Sequence, residues 1–366
     1  MIPRFLMVFI LTRAVAIGAT HLGASAMTPA KVAQWQWIAN RDNLFPGPPP
    51  SPFLAPFVRW DANFYVSLTR DGYPPRHEGP NHHLVFFPLY PLLLRATGLD
   101  VFWAAFLLSN LCCLIAAVCI LRLAGFEAAT LFLCSPGSHF FVYPYSEALF
   151  AAALAASLLL LRSRRFFAAG LAGAVASATR SPGVAAAVAL FAEAFAERRA
   201  RAFLAGLVAL SGIAAYMWWC HVAQGDALAF MRLQAYHGRT LSLLGPFHAF
   251  LAFDTDPDYY LVAIAALYVA IRLIRRTPAW QWTSAAFLVL LPLATGTLAA
   301  MIRYQAANVP LIIGVPSLVQ GRRFWIVTGM CLTLMAFEAF RAHQVLSKVC
   351  KVERRALPPQ HGGNRA

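Results

Sequence analysis

The chain has 366 residues, of which 60% are hydrophobic and 12% are charged, and its mean hydropathy is +0.60. Soluble globular chains have roughly 45–50% apolar and about 25% charged residues. The composition therefore excludes a soluble domain, a disordered chain and a small disulfide-rich scaffold. It predicts a polytopic membrane protein.

The net charge is +15, from 30 Lys and Arg residues against 15 Asp and Glu residues. The basic residues form short clusters between apolar runs, which is the positive-inside pattern of membrane proteins and not that of a nucleic-acid-binding patch. We therefore expect no nucleic acid partner. The seven cysteines form no CxxC motif, which favours buried apolar cysteines over a zinc site or a disulfide framework.

The apolar runs predict an all-α membrane protein with about 9–11 transmembrane helices, since each span needs roughly 20 apolar residues. The first predicted span, 4–26, has the length of a membrane anchor and not of a cleaved signal peptide. Ser181-Pro182-Gly183 separates two short spans, for which one bent helix is the alternative. After the first, the predicted spans are 99–121, 125–142, 145–161, 166–180, 183–197, 202–222, 259–274, 280–300, 305–319 and 324–342.

We predict a single membrane domain, residues 1–345, followed by a basic polar tail, residues 346–366. Basic clusters fall at alternate ends of the predicted spans and hence on one side, the cytoplasm. Three long stretches, the loops 27–98 and 223–258 and residues 135–147, then lie on the opposite side. The same count places the basic tail on that opposite side, so either one short span is misassigned or the charge rule is violated there.

Asp61 is the candidate catalytic carboxylate of the first long loop. It follows Trp60 and begins an amphipathic run in which Asp61 and Tyr65 share one helical face. A carboxylate between an indole and an apolar helix is partly desolvated, so we expect raised basicity, as a general base requires. The alternative is a solvated loop with an interfacial aromatic belt.

Histidines and a glutamate follow in the same loop, at His77, Glu78, His82 and His83. Their spacing is not that of a helical pair of metal ligands. We therefore expect surface histidines near a substrate groove and no metal site.

Asp254-Thr255-Asp256-Pro257-Asp258 has the D-x-D pattern with which nucleotide-sugar glycosyltransferases hold a divalent cation on a diphosphate. This segment lies on the predicted non-cytoplasmic side, where nucleotide sugars are scarce. No soluble α/β nucleotide-binding domain surrounds it, so we expect a solvated turn.

Three polar clusters lie at predicted span ends on the same side as Asp61. Guanidinium groups bind phosphate with paired hydrogen bonds, whereas a lone arginine at a helix end commonly extends to the membrane interface. Convergence of three clusters favours a site for a polar lipid headgroup, with both arginines and Asp61 bordering one cavity. The clusters are Tyr143-Pro144-Tyr145-Ser146-Glu147, Ala178-Thr179-Arg180-Ser181-Pro182-Gly183 and Arg303-Tyr304-Gln305.

At these residues the sequence resembles the PIG-V family, the mannosyltransferases that add the second mannose in GPI-anchor synthesis, and their prokaryotic relatives. The family has Asn or a similar residue where this chain has Pro182, so we expect a different local turn there. The matching stretches run in the family's order: Trp60-Asp61 through Asp71-Gly72-Tyr73, then 86–92, 144–150, 178–183 and, more weakly, Arg303-Tyr304.

The resemblance implies a GT-C glycosyltransferase fold with a catalytic aspartate in the first long non-cytoplasmic loop, the position that Asp61 matches. It implies an inverting transfer of a hexose, typically mannose, from a polyprenyl-phosphate-sugar donor, with no cofactor and no metal. The candidates for binding the donor phosphate are Arg180, Arg303 and His83. The candidates for substrate binding are Trp60, Tyr65, Glu78, His82, Tyr145, Ser146, Glu147 and Tyr304.

We predict an integral, multi-pass enzyme of the bacterial inner membrane whose site faces the exterior, or of the ER membrane in a eukaryote. Its partners are the donor, a lipid or glycan acceptor, and membrane lipids. The alternatives are a lipid transporter or flippase without catalysis, and a catalytically inactive scaffold. A transporter predicts charged residues at mid-membrane in pseudo-symmetric halves. The polar clusters here gather at one face, which favours the enzyme.

Overall fold

A computed structural model describes residues 2–28, 51–74, 82–253 and 255–343, which form helices and no strand. The α-helices in chain order are α1 (Ile2–Ser25), α2 (Asp61–Arg70), α3 (Leu89–Ala96), α4 (Val101–Cys134), α5 (Glu147–Arg162), α6 (Phe166–Thr179), α7 (Ala185–Ala196), α8 (Ala200–Gln224), α9 (Ala229–Arg232), α10 (Gly245–Leu251), α11 (Pro257–Leu273), α12 (Ala279–Leu293), α13 (Met301–Ala306), α14 (Val309–Ile312), α15 (Val315–Leu318) and α16 (Gly321–Arg341). Short 3-10 helices cover Ala55–Phe57, His82–Val85, Ser138–Val142, Ser181–Val184 and Leu233–His237.

Four of these helices, α1, α4, α8 and α16, are long and apolar enough to cross a membrane. Many of their large apolar side chains are exposed, as expected where a helix faces lipid. The all-helical architecture agrees with the predicted polytopic membrane protein. The total number of spans, the domain boundaries and the side that each loop faces stay predictions.

The region predicted as spans 99–121 and 125–142 forms the single element α4, which bends sharply at Gly125. Gly125 has a φ of 87°, a left-handed conformation that glycine adopts without a Cβ clash. The second predicted span is wrong at its end, because the helix stops at Cys134. Ser135 precedes Pro136, and proline disfavours helical geometry in the residue before it.

The alternative of one bent helix across residues 166–197 is wrong, because α6 and α7 are separate helices. Arg180 between them is extended, with φ −160° and ψ 151°. The following turn is so tight that a Cβ on Gly183 would lie 2.1 Å from the carbonyl oxygen of Ala176. This turn holds Arg180 at the end of α6.

The predicted span 305–319 is also wrong as a single helix. Its residues form parts of α13, all of α14 and all of α15, with Pro310 and Pro316 near the starts of the last two. Proline is favoured in the first helical turn and breaks a helix elsewhere. The short helix α13 that results carries Arg303 and Tyr304.

A buried arginine on α1 holds the loop between α4 and α5 in place. Arg13 is 5% exposed and donates hydrogen bonds to the carbonyl oxygens of Ser138, at 3.0 Å, and Leu133, at 3.3 Å. Leu133 lies in the last turn of α4, where carbonyl groups have no helical partner, and its oxygen also accepts a hydrogen bond from the Ser138 hydroxyl at 2.7 Å. The loop then continues to Tyr145 and to the start of α5.

The two ends of the helix bundle can be traced by side-chain contacts. Arg162, at the end of α5, donates to the carbonyl oxygen of Leu123, so the basic clusters near residues 122 and 162 share one end. At the other end, His343 Nε2 lies 2.8 Å from the carbonyl oxygen of Pro56 in the first loop. The basic tail predicted at 346–366 lies outside the described residues.

Candidate active site

Asp61 is the first residue of α2, and Trp60 before it has an unusual backbone. Trp60 has φ 46° and ψ −118°, and such a conformation costs a non-glycine residue about 1–3 kcal/mol. Strained residues of this kind cluster at functional sites. The kink turns the chain from the first loop into α2 and places the Asp61 carboxylate at a helix N-terminus, where a negative charge is favoured.

Arg303 joins Asp61 to a second carboxylate. Its Nη1 lies 2.5 Å from Asp61 Oδ2, and its Nε lies 3.0 Å from Glu147 Oε1. The side chain of Asp61 is 26% exposed, whereas those of Arg303 and Glu147 are 9% and 2% exposed. Asp61 is thus the accessible member of this group, and Glu147 lies behind it.

Glu147 also pairs with Arg180, so one buried carboxylate holds both arginines. Arg180 Nη1 lies 3.3 Å from Ser146 Oγ, and the hydroxyl groups of Tyr65 and Ser146 are 2.5 Å apart. Glu147 and Ser146 stand at the start of α5, while Arg180 ends α6. The packing of these helix ends brings residues distant in sequence into one ionic network.

A third arginine, Arg239, completes a ring of cations around Tyr304. Its Nη1 donates to the Tyr304 hydroxyl at 3.1 Å. The guanidinium carbons of Arg180, Arg239 and Arg303 lie 5.5, 5.7 and 5.8 Å from the centre of the Tyr304 ring, within the range of cation–π attraction. Tyr304 therefore packs among three positive charges.

Asp61, Tyr65, Arg180, Arg303 and Tyr304 border a single polar cavity of about 90 Å³. This cavity is called the polar cavity below. The structure thus brings together the predicted catalytic residue, the two arginines predicted to bind the donor phosphate, and two of the predicted substrate-binding residues. Their roles stay predictions. Its other lining residues are Val85, Phe86, Phe87, Thr179, Ser181, Pro182, Gln234 and Arg239.

The remaining candidates lie behind or beside the polar cavity. Tyr145 is buried, with its hydroxyl donating to the carbonyl oxygen of Arg59 at 3.1 Å and its ring centre 5.4 Å from the guanidinium carbon of Arg303. Ser146, Glu147 and Trp60 are not among the described lining residues. Tyr145, Ser146 and Glu147 contact residues that line the cavity, and their role in substrate binding stays a prediction.

Neither histidine candidate reaches the polar cavity in the described structure. His82 and His83 lie on the 3-10 helix that precedes Phe86, and the His83 ring packs edge-on against Phe64 at 5.3 Å. Glu78 and His77 lie outside the described residues.

The expectation of raised basicity at Asp61 is wrong for this arrangement. Burial raises the pKa of Asp61, but the charges of Arg303, Arg239 and Arg180 and the hydrogen bond from Arg303 together outweigh it, and the pKa lies below its ordinary value. The sequence showed the apolar neighbours of this residue but not that Arg303, 242 positions away, would contact it. Asp61 is therefore a stable carboxylate in this state.

The D-x-D segment is not simply a solvated turn. Asp256 and Asp258 lie 3.3 and 2.6 Å from the guanidinium of Arg341, which also contacts Glu338 at 2.7 Å. Asp254 lies outside the described residues. Among the described residues, no three His, Cys, Asp or Glu side chains are grouped to hold a metal ion, and metal independence stays a prediction.

A second, apolar cavity of about 420 Å³ is lined in part by the same chain segments as the polar one. Three chain segments line both: α2, through Tyr65 and then Leu68; the stretch containing Phe87 and Pro88; and the end of α6, through Ala178 and Thr179. The apolar cavity is also lined by Gly72, Tyr73, Leu89, Pro91, Leu92, Arg95, Gly212, Ala215, Tyr216 and Trp219.

Sequence reasoning missed Arg239 and Gln234. Both lie in the second long loop, which the sequence predicts as a loop without assigning it a role. The one available signal was Arg239 beside Gly238, an arginine in a long loop on the predicted side of Asp61. Only the tertiary fold shows that this loop reaches Tyr304.

The chain is 30% identical over 184 residues to a GPI alpha-1,6-mannosyltransferase 2 of Cricetulus griseus. The matched part covers 44% of this chain and 34% of that protein, so the chain spans about a third of the length of the curated relative it matches. No family model and no solved structure matches the chain. The similarity supports a mannosyltransferase-like relationship.

Proposed function

We propose that the protein is an inverting glycosyltransferase that moves a hexose, with mannose the first to test, from a polyprenyl-phosphate-sugar to a lipid or glycan acceptor. The observation that carries the proposal is the polar cavity, where a partly exposed carboxylate, Asp61, faces three arginines. The similarity to a mannosyltransferase supports a sugar transfer. In this proposal the chain is a PIG-V-like GT-C enzyme.

In the proposed reaction, the acceptor hydroxyl attacks the anomeric carbon from the face opposite the phosphate. The bond from the anomeric carbon to the phosphate oxygen breaks, and the electron pair leaves with the polyprenyl phosphate. Asp61 takes the proton of the hydroxyl as general base. Arg180 and Arg303 stabilise the phosphate as its charge grows, so the reaction as proposed needs no metal.

The contact between Arg303 and Asp61 sets the order of events in this mechanism. While Arg303 pairs with Asp61, the carboxylate is a weak base, because its pKa is lowered. A donor phosphate in the cavity competes for the same guanidinium. Donor binding before acceptor deprotonation therefore restores basicity to Asp61 at the moment when it is needed.

The apolar cavity supports a lipid-linked donor over a soluble nucleotide sugar. An isoprenoid chain is apolar, and burial of apolar surface favours binding by about 25 cal/mol per Å². In this proposal a phosphate held near Arg180 directs its lipid chain toward Ala178 and Leu68, which line the apolar cavity. We place the site at the extracytoplasmic membrane face, because the basic clusters near residues 122 and 162 share the other end.

The decisive experiment uses the purified full chain with radiolabelled polyprenyl-phosphate-mannose and a lipid extract. We expect label to move from the donor to a new lipid or glycan product. The same protein carrying Asp61→Asn is the control, since its cavity keeps its shape. A flippase without catalysis would move donor across vesicles and form no new product, and that result would reject the proposed enzyme.

A further inference from the structure

The side chains around the polar cavity do not balance in charge. Arg180, Arg239 and Arg303 face two carboxylates, Asp61 and Glu147, among the described residues. Glu147 pairs with both Arg180 and Arg303, and Asp61 pairs with Arg303. The polar partner that the structure gives Arg239 is the neutral hydroxyl of Tyr304. Within the part of the chain that the structure describes, Arg239 is therefore the arginine of this cluster without a carboxylate in direct contact.

We propose that Arg239 is a donor-recognition residue that binds the phosphodiester group of the lipid-linked donor. This inference rests on the proposed function. A phosphodiester carries a single negative charge, which is the charge that the cluster lacks. Arg180 and Arg303 already pair with the buried carboxylate of Glu147, so the phosphate gains most from the arginine without a carboxylate partner.

Backbone hydrogen bonds hold the segment that contains Arg239 close to the cavity. Its own N–H donates to the carbonyl oxygen of Gln234 at 3.1 Å, and Gly238 before it turns the chain with φ 69°. Thr240 and Ser242 donate to the carbonyl oxygens of Thr295 and Ala294, at 3.3 and 2.8 Å. The second long loop is thereby tied to the end of α12, a few residues before α13.

The attachment of the second long loop to the end of α12 determines where Arg239 lies. Residues 240 and 242 hold the loop against the segment that leads directly into Arg303 and Tyr304. Arg239 thus borders the same cavity as Arg180 and Arg303 but from a separate segment of chain. A phosphate in the cavity can then be contacted by more than one arginine, and a guanidinium can donate two parallel hydrogen bonds to its oxygens.

The test measures binding of three probes to the full chain in detergent: a short-chain polyprenyl phosphate, the matching polyprenol and inorganic phosphate. For the wild type we expect the polyprenyl phosphate to bind more tightly than either other probe. Arg239→Ala should weaken polyprenyl phosphate binding about tenfold or more, the loss expected for a charge-assisted hydrogen bond, and leave polyprenol binding unchanged. Arg239→Lys should recover part of the loss, because the charge remains without the fork.

Arg232→Ala is the matched control. It removes the same charge from the same loop, but Arg232 is 73% exposed and pairs with Asp226 at 3.3 Å. We expect it to bind all probes like the wild type.

The outcomes distinguish failure of the Arg239 assignment from failure of the proposed function. If the wild type prefers the polyprenyl phosphate and Arg239→Ala, folded by its melting profile, binds it equally well, the Arg239 assignment is wrong and the proposed function stands. If the wild type binds polyprenol or inorganic phosphate as tightly as the polyprenyl phosphate, the proposed donor class is wrong, and this inference fails with it. Equal losses in Arg239→Ala and Arg232→Ala would show a general effect of charge and would also overturn it.

Discussion

Two arginine–carboxylate clusters in this molecule have opposite charge balance. Around the polar cavity, three arginines meet two carboxylates, and one of those, Asp61, is accessible. Between the start of α11 and the end of α16, the single guanidinium of Arg341 meets Asp256, Asp258 and Glu338. Both join distant segments of chain, yet only the first has cations to offer to an anionic ligand.

The difference teaches that ionic contacts alone do not mark a binding site. The Arg341 cluster has an excess of negative charge, and its residues do not line either described cavity. Its arginine is saturated by carboxylates, so its role is to tie two helices together. The polar cavity combines excess positive charge with space and with a carboxylate at its edge, the combination that a transfer from a phosphate requires.

Among substitutions that distinguish the two clusters, we expect the largest loss of transfer activity at Asp61. Asp61→Asn keeps the side-chain shape but cannot accept the acceptor proton, so transfer should fall by about 10²–10⁴. Donor binding should be retained or strengthened, because Arg303 loses a competing carboxylate. Turnover is measured with labelled donor at matched expression, and donor affinity is measured separately. Retention of more than about a third of wild-type turnover would exclude general base catalysis by Asp61, since that role requires the larger loss.

Arg180 and Arg303 should give the next largest effect. Replacing either by Ala removes charge-assisted hydrogen bonds worth roughly 1.5–3 kcal/mol. Use of the polyprenyl-phosphate-sugar should therefore weaken about tenfold or more, and Lys should recover only part, since it lacks the planar fork. The measurement is kcat/KM for the donor. Full recovery by Lys at both positions would show that charge alone suffices and would contradict recognition by the guanidinium geometry.

Arg341→Ala should act on stability and not on chemistry. Its removal leaves the carboxylates of Asp258 and Glu338 close together without their cation. Arg341 is 17% exposed, so we expect a loss of about 1–3 kcal/mol, visible as a lower melting temperature in detergent. The turnover of the folded fraction should stay within about twofold of wild type, well short of the tenfold effect expected for a lost charge-assisted contact. A selective loss of donor affinity without a change in melting would place Arg341 in the binding site instead.

The smallest effect is expected at Asp256, the most exposed carboxylate of the second cluster. Its side chain is 43% exposed and lies 3.3 Å from Arg341, and exposed pairs contribute little. Asp256→Ala should be close to silent in transfer, and EDTA should not inhibit. Inhibition by the chelator that manganese or magnesium reverses would establish the metal-dependent alternative.

The apolar runs were enough to predict most of the long helices of this fold. They located α1, α5, α8 and α16 closely, because an apolar run between basic residues leaves few other structures possible in lipid. They did not predict that the run at 305–319 would be divided into short helices, because hydropathy does not register the effect of Pro310 and Pro316 on the backbone. That division is what creates the separate helix that carries Arg303.

The site was partly predictable for a different reason. Asp61, Arg180 and Arg303 stand out as charged residues at the ends of apolar runs, and such residues are functional candidates. Glu147 and Tyr145 share the same neighbourhood in sequence, but whether their side chains face the cavity or the arginines depends on helix packing. Arg239 could not be placed, because its loop is joined to α12 by backbone hydrogen bonds that no side-chain pattern encodes.

The size of the polar cavity has a consequence for how tightly any donor can bind. Small-molecule sites typically enclose roughly 300–1,000 Å³, whereas this cavity measures about 90 Å³. If the proposed donor binds here, its sugar phosphate fits only after lining side chains move, and the described conformation is then a closed member of an ensemble. The measured dissociation constant then equals the intrinsic one divided by the fraction of open molecules. If about 1% of molecules were open, affinity would appear about 100-fold weaker than the contacts alone provide.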